Sequence, residues 1–442
     1  MTACAIEPSA ADAYDGEPAA GCTITADGAY AARLALDDGS WFPERWTLDG
    51  PEPYAVPLPG HQPEEPGTEV QPMGDGRVLI HRTAAGRHLF SLLYPTGPDT
   101  GELPLGAVEC PVAGTRLRLL PPAPGGTRAY ALAVGPRSTA VWLVAGGAFG
   151  PERLAEVPGR CSGGVWLDGA GRLLALDREA GGSTKAVVVD LERGGEVSPL
   201  LQIAADSDDR LLLADPDSGL LIIASDAPSP GRERLGWGVL GSTLPVRFPE
   251  SLRMPDCVVT PFAIQPGQVL TPERCAVALR VDGPLGRWVG VWRPALRQVC
   301  HLPAPAGWLA GAGRWTEDGV LLLPYATAEV PCGLARLTVP AGVKDPLTSS
   351  GSLGSPGSAG RARSAGALTT ADPTGSRDSA GSTDSTDSMD YAGSMDYAGS
   401  MDSVASQGPA SAPPTAEPEP QQPVAPRPIP LQQAPLARLV TK

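Results

Sequence analysis

The residues best suited to chemistry are two histidines, His81 and His88, and a run of aspartates at Asp206, Asp208, Asp209, Asp215 and Asp217. A pair of imidazoles can share a divalent metal or divide acid and base roles. Clustered carboxylates suit Ca²⁺, which takes several carboxylate and carbonyl oxygens. Neither set completes a ligand pattern. There is no HExxH and no Cys/His cluster, and the aspartates lack the DxDxDG spacing with a terminal Glu. Asp215-Pro-Asp-Ser-Gly219 is also what a type I turn closing a hairpin prefers. The expectation is therefore polar residues on strands and turns. A metal held by His81, His88, Asp206, Asp208 or Asp209 is the sharper alternative.

Other chemistries find less footing. A serine nucleophile of the α/β type needs GxSxG on a strand-to-helix elbow, and Gly159-Arg-Cys-Ser-Gly163 has the wrong frame. No GxxxxGK[ST] loop and no dinucleotide fingerprint occur, so no catalytic residue and no cofactor is assigned. The eight cysteines stand singly without a CxxC pair and read as small buried apolar residues. Trp166 and Trp315, each just before a tight turn, read as packing between repeated units.

The elements that would position these residues repeat along the chain. Gly163 to Ile203 is the clearest case: Trp166-Leu167, Arg172–Asp177, Lys185–Leu191 and Val197–Ile203 have strand length and are rich in Val, Leu and Ile. Between them lie Asp168-Gly-Ala-Gly171, Glu179-Ala-Gly-Gly182 and Glu192-Arg-Gly-Gly195, which supply the positive-φ residues of hairpin turns. This is one four-stranded antiparallel sheet. Similar units open at Thr25-Ala-Asp-Gly28, Met73-Gly-Asp-Gly76, Thr115, Ser207, Cys275 and Gly313, with turn markers about 48 residues apart on average. His81 and His88 flank one hairpin and face each other across it. Trp237 to Thr271, punctuated by prolines, reads as an inserted loop crossing one face. No segment before Pro340 carries a helical apolar stripe.

The expected fold is all-β: a β-propeller of about seven four-stranded blades, six to eight being the range, with a disordered C-terminal tail. An N-terminal arm covers 1–19, the propeller 20–340, a low-complexity linker 341–425 and a C-terminal segment 426–442. The linker is Ser/Gly/Asp/Pro-rich, with the tandem hexapeptide Ser388-Met-Asp-Tyr-Ala-Gly393 and Ser394-Met-Asp-Tyr-Ala-Gly399, and lacks the apolar surface to offset chain entropy. The C-terminal segment regains apolar spacing in PIPLQQAPLARLV, as a docked strand at Leu436 to Val440 or a free linear motif.

Composition bounds the partners. In 442 residues, hydrophobic types make up 42% and the formal net charge is −15; the mean hydropathy is −0.06 and the pI about 4.8. Such an acidic balance argues against nucleic acid, which needs a clustered cationic surface. Lys185, Lys344 and Lys442 are the only lysines, and the Ala/Gly/Pro/Arg-heavy usage resembles that of a high-GC actinobacterium. With no secretory leader pattern and no apolar run of membrane length, the expectation is a cytoplasmic monomer that does not engage a membrane.

The repeated "strand, Asp-Gly or Gly turn, strand" units from Ala20 to Val339 resemble the propellers of WD-repeat, TolB-like and prolyl-oligopeptidase-like proteins. The resemblance implies a β-propeller with function carried by its face loops. It brings no catalytic residues, because this chain has no hydrolase domain. Two functions follow as expectations: a scaffold that binds a ligand, or a protein partner through the face loops or the tail; or a lactonase-like or lyase-like enzyme with a metal in its central channel. A third possibility is a propeller that regulates a separately encoded serine hydrolase.

Overall fold

Turn chemistry sets the geometry of this chain. Thr25 Oγ1 donates to Asp27 Oδ1 at 2.6 Å and accepts the Tyr30 amide at 3.1 Å, while Gly28 takes φ +76°. Thr316, Asp318, Gly319 and Val320 repeat the arrangement. Each such turn reverses the chain within a few residues. Successive apolar runs must then pair as antiparallel neighbours.

The computed structural model describes residues 21–60, 63–65 and 67–339. Within them seven meanders follow one another in chain order, each with its first strand innermost; they make six sheets, because a parallel bridge joins the fourth and fifth into one of seven strands. The inner strands are Thr23–Ile24, Glu69–Pro72, Arg116–Leu119, Arg160–Trp166, Asp209–Ala214, Val258–Ile264 and Arg314–Trp315. Blades 1, 2, 3, 4 and 6 have four strands. Blade 5 has three plus an isolated antiparallel bridge between Trp237 and Arg247, and blade 7 has three. The sequence unit Gly163–Ile203 is blade 4, although its inner strand begins earlier, at Arg160, and bulges between Ser162 and Val165.

Side chains on both faces of each blade pack against the neighbouring blades. Leu132, Val141 and Tyr130 of blade 3 meet Trp166, Leu174 and Leu176 of blade 4. Trp315 packs with Val289 and Val291 of blade 6. The tryptophans before the turns are thus packing residues between blades, as their placement suggests. Blades 2 and 3 approach so closely that the Gly74 amide donates to the Gly126 carbonyl at 2.8 Å; a Cβ on either residue would meet the other's backbone. Blades 4 and 5 also touch through their backbones, Lys185 lying parallel to Asp209. The ring closes by packing: Leu309 and Ala312 of the approach to blade 7 join Ala31, Trp46 and Leu48 of blade 1, and the Arg314 guanidinium donates to the Asp27 carbonyl.

One expectation is corrected. Trp237 to Thr271 is not a loop crossing a face: it holds the Arg247 bridge, a 3₁₀ turn at Glu250–Leu252 and the inner strand of blade 6. The arm 1–19, the linker 341–425, the segment 426–442 and the docked strand at Leu436 to Val440 lie outside the described residues. Among the described residues no helix is long and apolar enough to cross a membrane.

Candidate functional site: the channel wall and the cleft of blades 5 and 6

Seven inner strands wall a central channel, and a cavity of about 450 Å³ lies in it. Ile24, Val70, Leu119 and Phe262 supply apolar wall, while Glu69 of blade 2 and Arg118 of blade 3 bring charge. Arg118 Nη2 donates to the Gly163 carbonyl of blade 4 at 2.6 Å. The Glu69 side chain is 35% exposed, and its Oε2 accepts the Leu119 amide at 3.0 Å and meets His81 Nδ1 at 2.9 Å.

From Glu69 a chain of hydrogen bonds runs outward through blade 2. His81 Nε2 meets His88 Nδ1 at 2.9 Å, and His81 stacks on Phe90. The register explains the contact: Thr83 pairs with His88 and His81 with Phe90, so the two imidazoles are diagonal neighbours. Where Glu69 accepts and His81 is a neutral imidazole, His81 Nδ1 carries the proton and its Nε2 accepts from His88 Nδ1–H. In that state both tautomers follow, and His88 Nε2 is left as a lone-pair nitrogen. Burial, then the neighbouring His81, holds the His88 pKa below the ordinary imidazole value, against the pull of Glu69. The arrangement is a line. His81 spends its two nitrogens in opposite directions, so Glu69, His81 and His88 do not form a cup for one ion.

The aspartates also separate. Asp209 is fully buried: its Oδ2 accepts from Lys185 Nζ and the Ile203 amide, both at 2.8 Å, and its Oδ1 from Ser207 Oγ at 2.9 Å and Ser225 Oγ at 2.6 Å. Asp208 Oδ1 accepts the Thr184 amide at 2.6 Å, and Asp206 is exposed. Asp215 Oδ2 binds the Ser218 amide and hydroxyl within its own turn. Among the described residues no group of three or more His, Cys, Asp or Glu side chains is arranged to hold a metal. Burial pushes the thiols of Cys22 and Cys332 up to about 12, which keeps them protonated at neutral pH.

A second feature lies on the loops. The segment after the third strand of blade 5 and the loop between the first two strands of blade 6 frame a cleft of about 360 Å³ lined by Trp237, Leu244, Pro245, Arg247, Pro272 and Glu273. Arg247 lies over the Trp237 ring at 5.2 Å. On the same loops Leu244 is 61% exposed, Val269 is exposed and Leu270 is 90% exposed.

Three important positions carry no signal in the sequence. Glu69 is a lone acid on a four-residue strand, Lys185 is one residue in a Val-rich run, and Asp177 sits inside blade 4. Asp177 is buried, and desolvation lifts its carboxyl to about 6 although Oδ1 accepts the Leu211 amide at 2.9 Å. Its place behind Gly163 is visible only in space: a Cβ there would lie 2.8 Å from Asp177 Oδ2.

No protein-family model matches the chain. No curated protein matches it by sequence. Among solved structures it is similar to oligogalacturonate lyase from Vibrio parahaemolyticus, with TM-score 0.48 and 12% identity over 73% of this chain and 89% of that one. It is also similar to TolB from Acinetobacter baumannii, with TM-score 0.38 and 12% identity over 70% and 80%. Acylaminoacyl peptidase from Pyrococcus horikoshii gives TM-score 0.43 and 10% identity over 72% of this chain and 51% of that chain. These likenesses concern the fold alone; the described residues, by their own strand order, form a β-propeller of seven blades.

Proposed function

We propose that this propeller is a protein-interaction scaffold whose contact site is the cleft between blades 5 and 6. One observation carries the reading: Leu244, Val269 and Leu270 stand exposed on loops around a cleft lined by Trp237 and Arg247. Of these Leu244 lines the cleft itself, and Val269 and Leu270 stand on the loop that carries Pro272 and Glu273 of its other wall; exposed apolar side chains near an aromatic and an arginine are the composition of a binding hot spot. Loops on a rigid ring hold such a patch in place at little entropic cost. The partner that fits presents an apolar side chain to the cleft and a carboxylate to Arg247.

A metal-dependent reaction in the channel has less support, because Glu69, His81 and His88 are strung in a line and both Asp209 oxygens are taken inside the protein. The test is affinity capture from the native host with the full chain, alongside the full-chain variants Leu244→Asp and Leu270→Asp. A partner retained by the parent and lost from both variants, with melting temperature unchanged, supports the cleft. Burying a leucine contributes about 1.5–3 kcal/mol, so the measured Kd rises at least about tenfold. Equal retention by all three chains refutes the site.

A further inference from the structure

The third strand of blade 7, Gly333–Thr338, pairs with Val320–Tyr325 and, among the described residues, with no other strand. Its burial is that of an outermost strand. The third strands of blades 2, 4 and 6 are well covered, with Phe90 to Leu93, Ala186 to Val189 and Val289 to Trp292 all buried, whereas that of blade 1 is buried only at Pro43, Glu44 and Trp46. In blade 7 only Gly333 is buried, and Leu334, Ala335 and Leu337 are half-covered. Both faces still carry core outward. Ala335 and Leu337 pack with the blade 6 cluster, and Leu334 with the blade 1 cluster. The free edge therefore offers a row of backbone donors and acceptors flanked by apolar seams on either side. Such an edge is a template for one more strand.

We infer that Leu436–Thr441 of the same chain supplies that strand and completes blade 7. The occupant is chosen by its sequence. Leu436-Ala-Arg-Leu-Val-Thr441 repeats Leu334-Ala-Arg-Leu-Thr-Val339 residue for residue through its first four positions. The alternation that puts Leu334 toward blade 1 and Ala335 and Leu337 toward blade 6 is present again in Leu436, Ala437 and Leu439. The intervening residues 340–435 far exceed what is needed to reach across one strand spacing of about 4.8 Å. The docked strand adds an apolar side chain to each seam beside Leu302 and Ala304 of blade 6 and Ala55 of blade 1.

Hydrogen–deuterium exchange on the full chain tests this, read at the amides of 334–338 with those of blades 2 to 4 as an internal standard for folding. The parent chain is expected to exchange slowly there. Leu439→Pro, which removes one amide and the side chain, raises the rate at those amides at least about tenfold and leaves blades 2 to 4 unchanged. Leu439→Ile retains protection, and a synthetic peptide of residues 428–442 restores it to the proline variant. Equal exchange in the parent and the proline variant overturns the inference. So does protection that is lost on deleting residues 1–20, or protection that appears only at concentrations where sedimentation shows a dimer, which would assign the edge to the N-terminal segment or to a second copy.

Discussion

Replacing Lys185 by methionine removes one amine from the seam of blades 4 and 5 and keeps the length of the side chain. In the parent, Lys185 Nζ donates to the carbonyls of Ala204 at 2.5 Å and Ser207 at 2.6 Å and to Asp209 Oδ2 at 2.8 Å. The carboxylate it faces is 0% exposed and keeps three neutral donors after the change: the Ile203 amide and the hydroxyls of Ser207 and Ser225. A buried charge stripped of its counter-ion costs about 3–5 kcal/mol, far more than the 0–1 kcal/mol or so of an exposed pair. Because Lys185 keeps only 14% of its side chain in solvent, the low-dielectric figure is the relevant one. Guanidinium unfolding of the full chain, followed by tryptophan fluorescence, gives the loss for Lys185→Met, for Asp209→Asn and for the double variant. The expected coupling energy is at least about 2 kcal/mol, with the double variant more stable than the sum of the single losses predicts. A single-variant loss under about 1 kcal/mol, or no coupling, would refute the claim that this pair holds the seam.

Asp177 gives a pH signature. Its carboxyl titrates near 6 in the fold and near 3.8 when free, so the folded state holds the extra proton between those values. Stability from this group is complete below about 4 and is lost as pH rises through about 6. At roughly 1.4 kcal/mol per unit the change is at most about 3 kcal/mol. Asp177→Asn keeps an acceptor for the Leu211 amide, so its melting temperature gains on the parent between pH 4 and 7 and holds a constant lead above that; a pH-independent difference would sink the assignment. The histidine line is checked by ¹⁵N NMR of histidine-labelled protein at pH 8, where His81 and His88 should both show the Nδ1–H tautomer, and an Nε2–H on His88 would break the chain from Glu69.

Much of the architecture was legible because turn and strand signals are local. Asp27-Gly28, Asp75-Gly76 and Asp318-Gly319 announce their turns, and the Val- and Leu-rich runs between them leave one pairing scheme. Strands without such signals were hidden. Thr23–Ile24 is two residues long, Thr100–Glu109 holds two glycines and a proline, and Val258–Ile264 sits among prolines that had suggested a loop. The site was legible only in part. A hairpin predicts that His81 and His88 are neighbours, because their distance is set by pairing register. Glu69 joins them from the inner strand, and Arg118 and Gly163 face the channel from other blades. Such company depends on how blades stack around the axis, which no local pattern records. The aspartate run shows the converse. Its members are close in sequence, but the turns and the blade seam send Asp208, Asp209, Asp215 and Asp217 to different donors and leave Asp206 exposed.

The burial of Lys185 has a practical consequence for anyone handling the protein. With only three lysines in the chain, and this one committed to three close acceptors, amine-directed reagents find no free lysine amine among the described residues. Biotin or dye esters, and the amine coupling used on sensor chips, are therefore steered to the chain's amino terminus, Lys344 and Lys442. A surface prepared that way attaches the molecules through residues other than the described ones and leaves the described blade loops chemically unmodified.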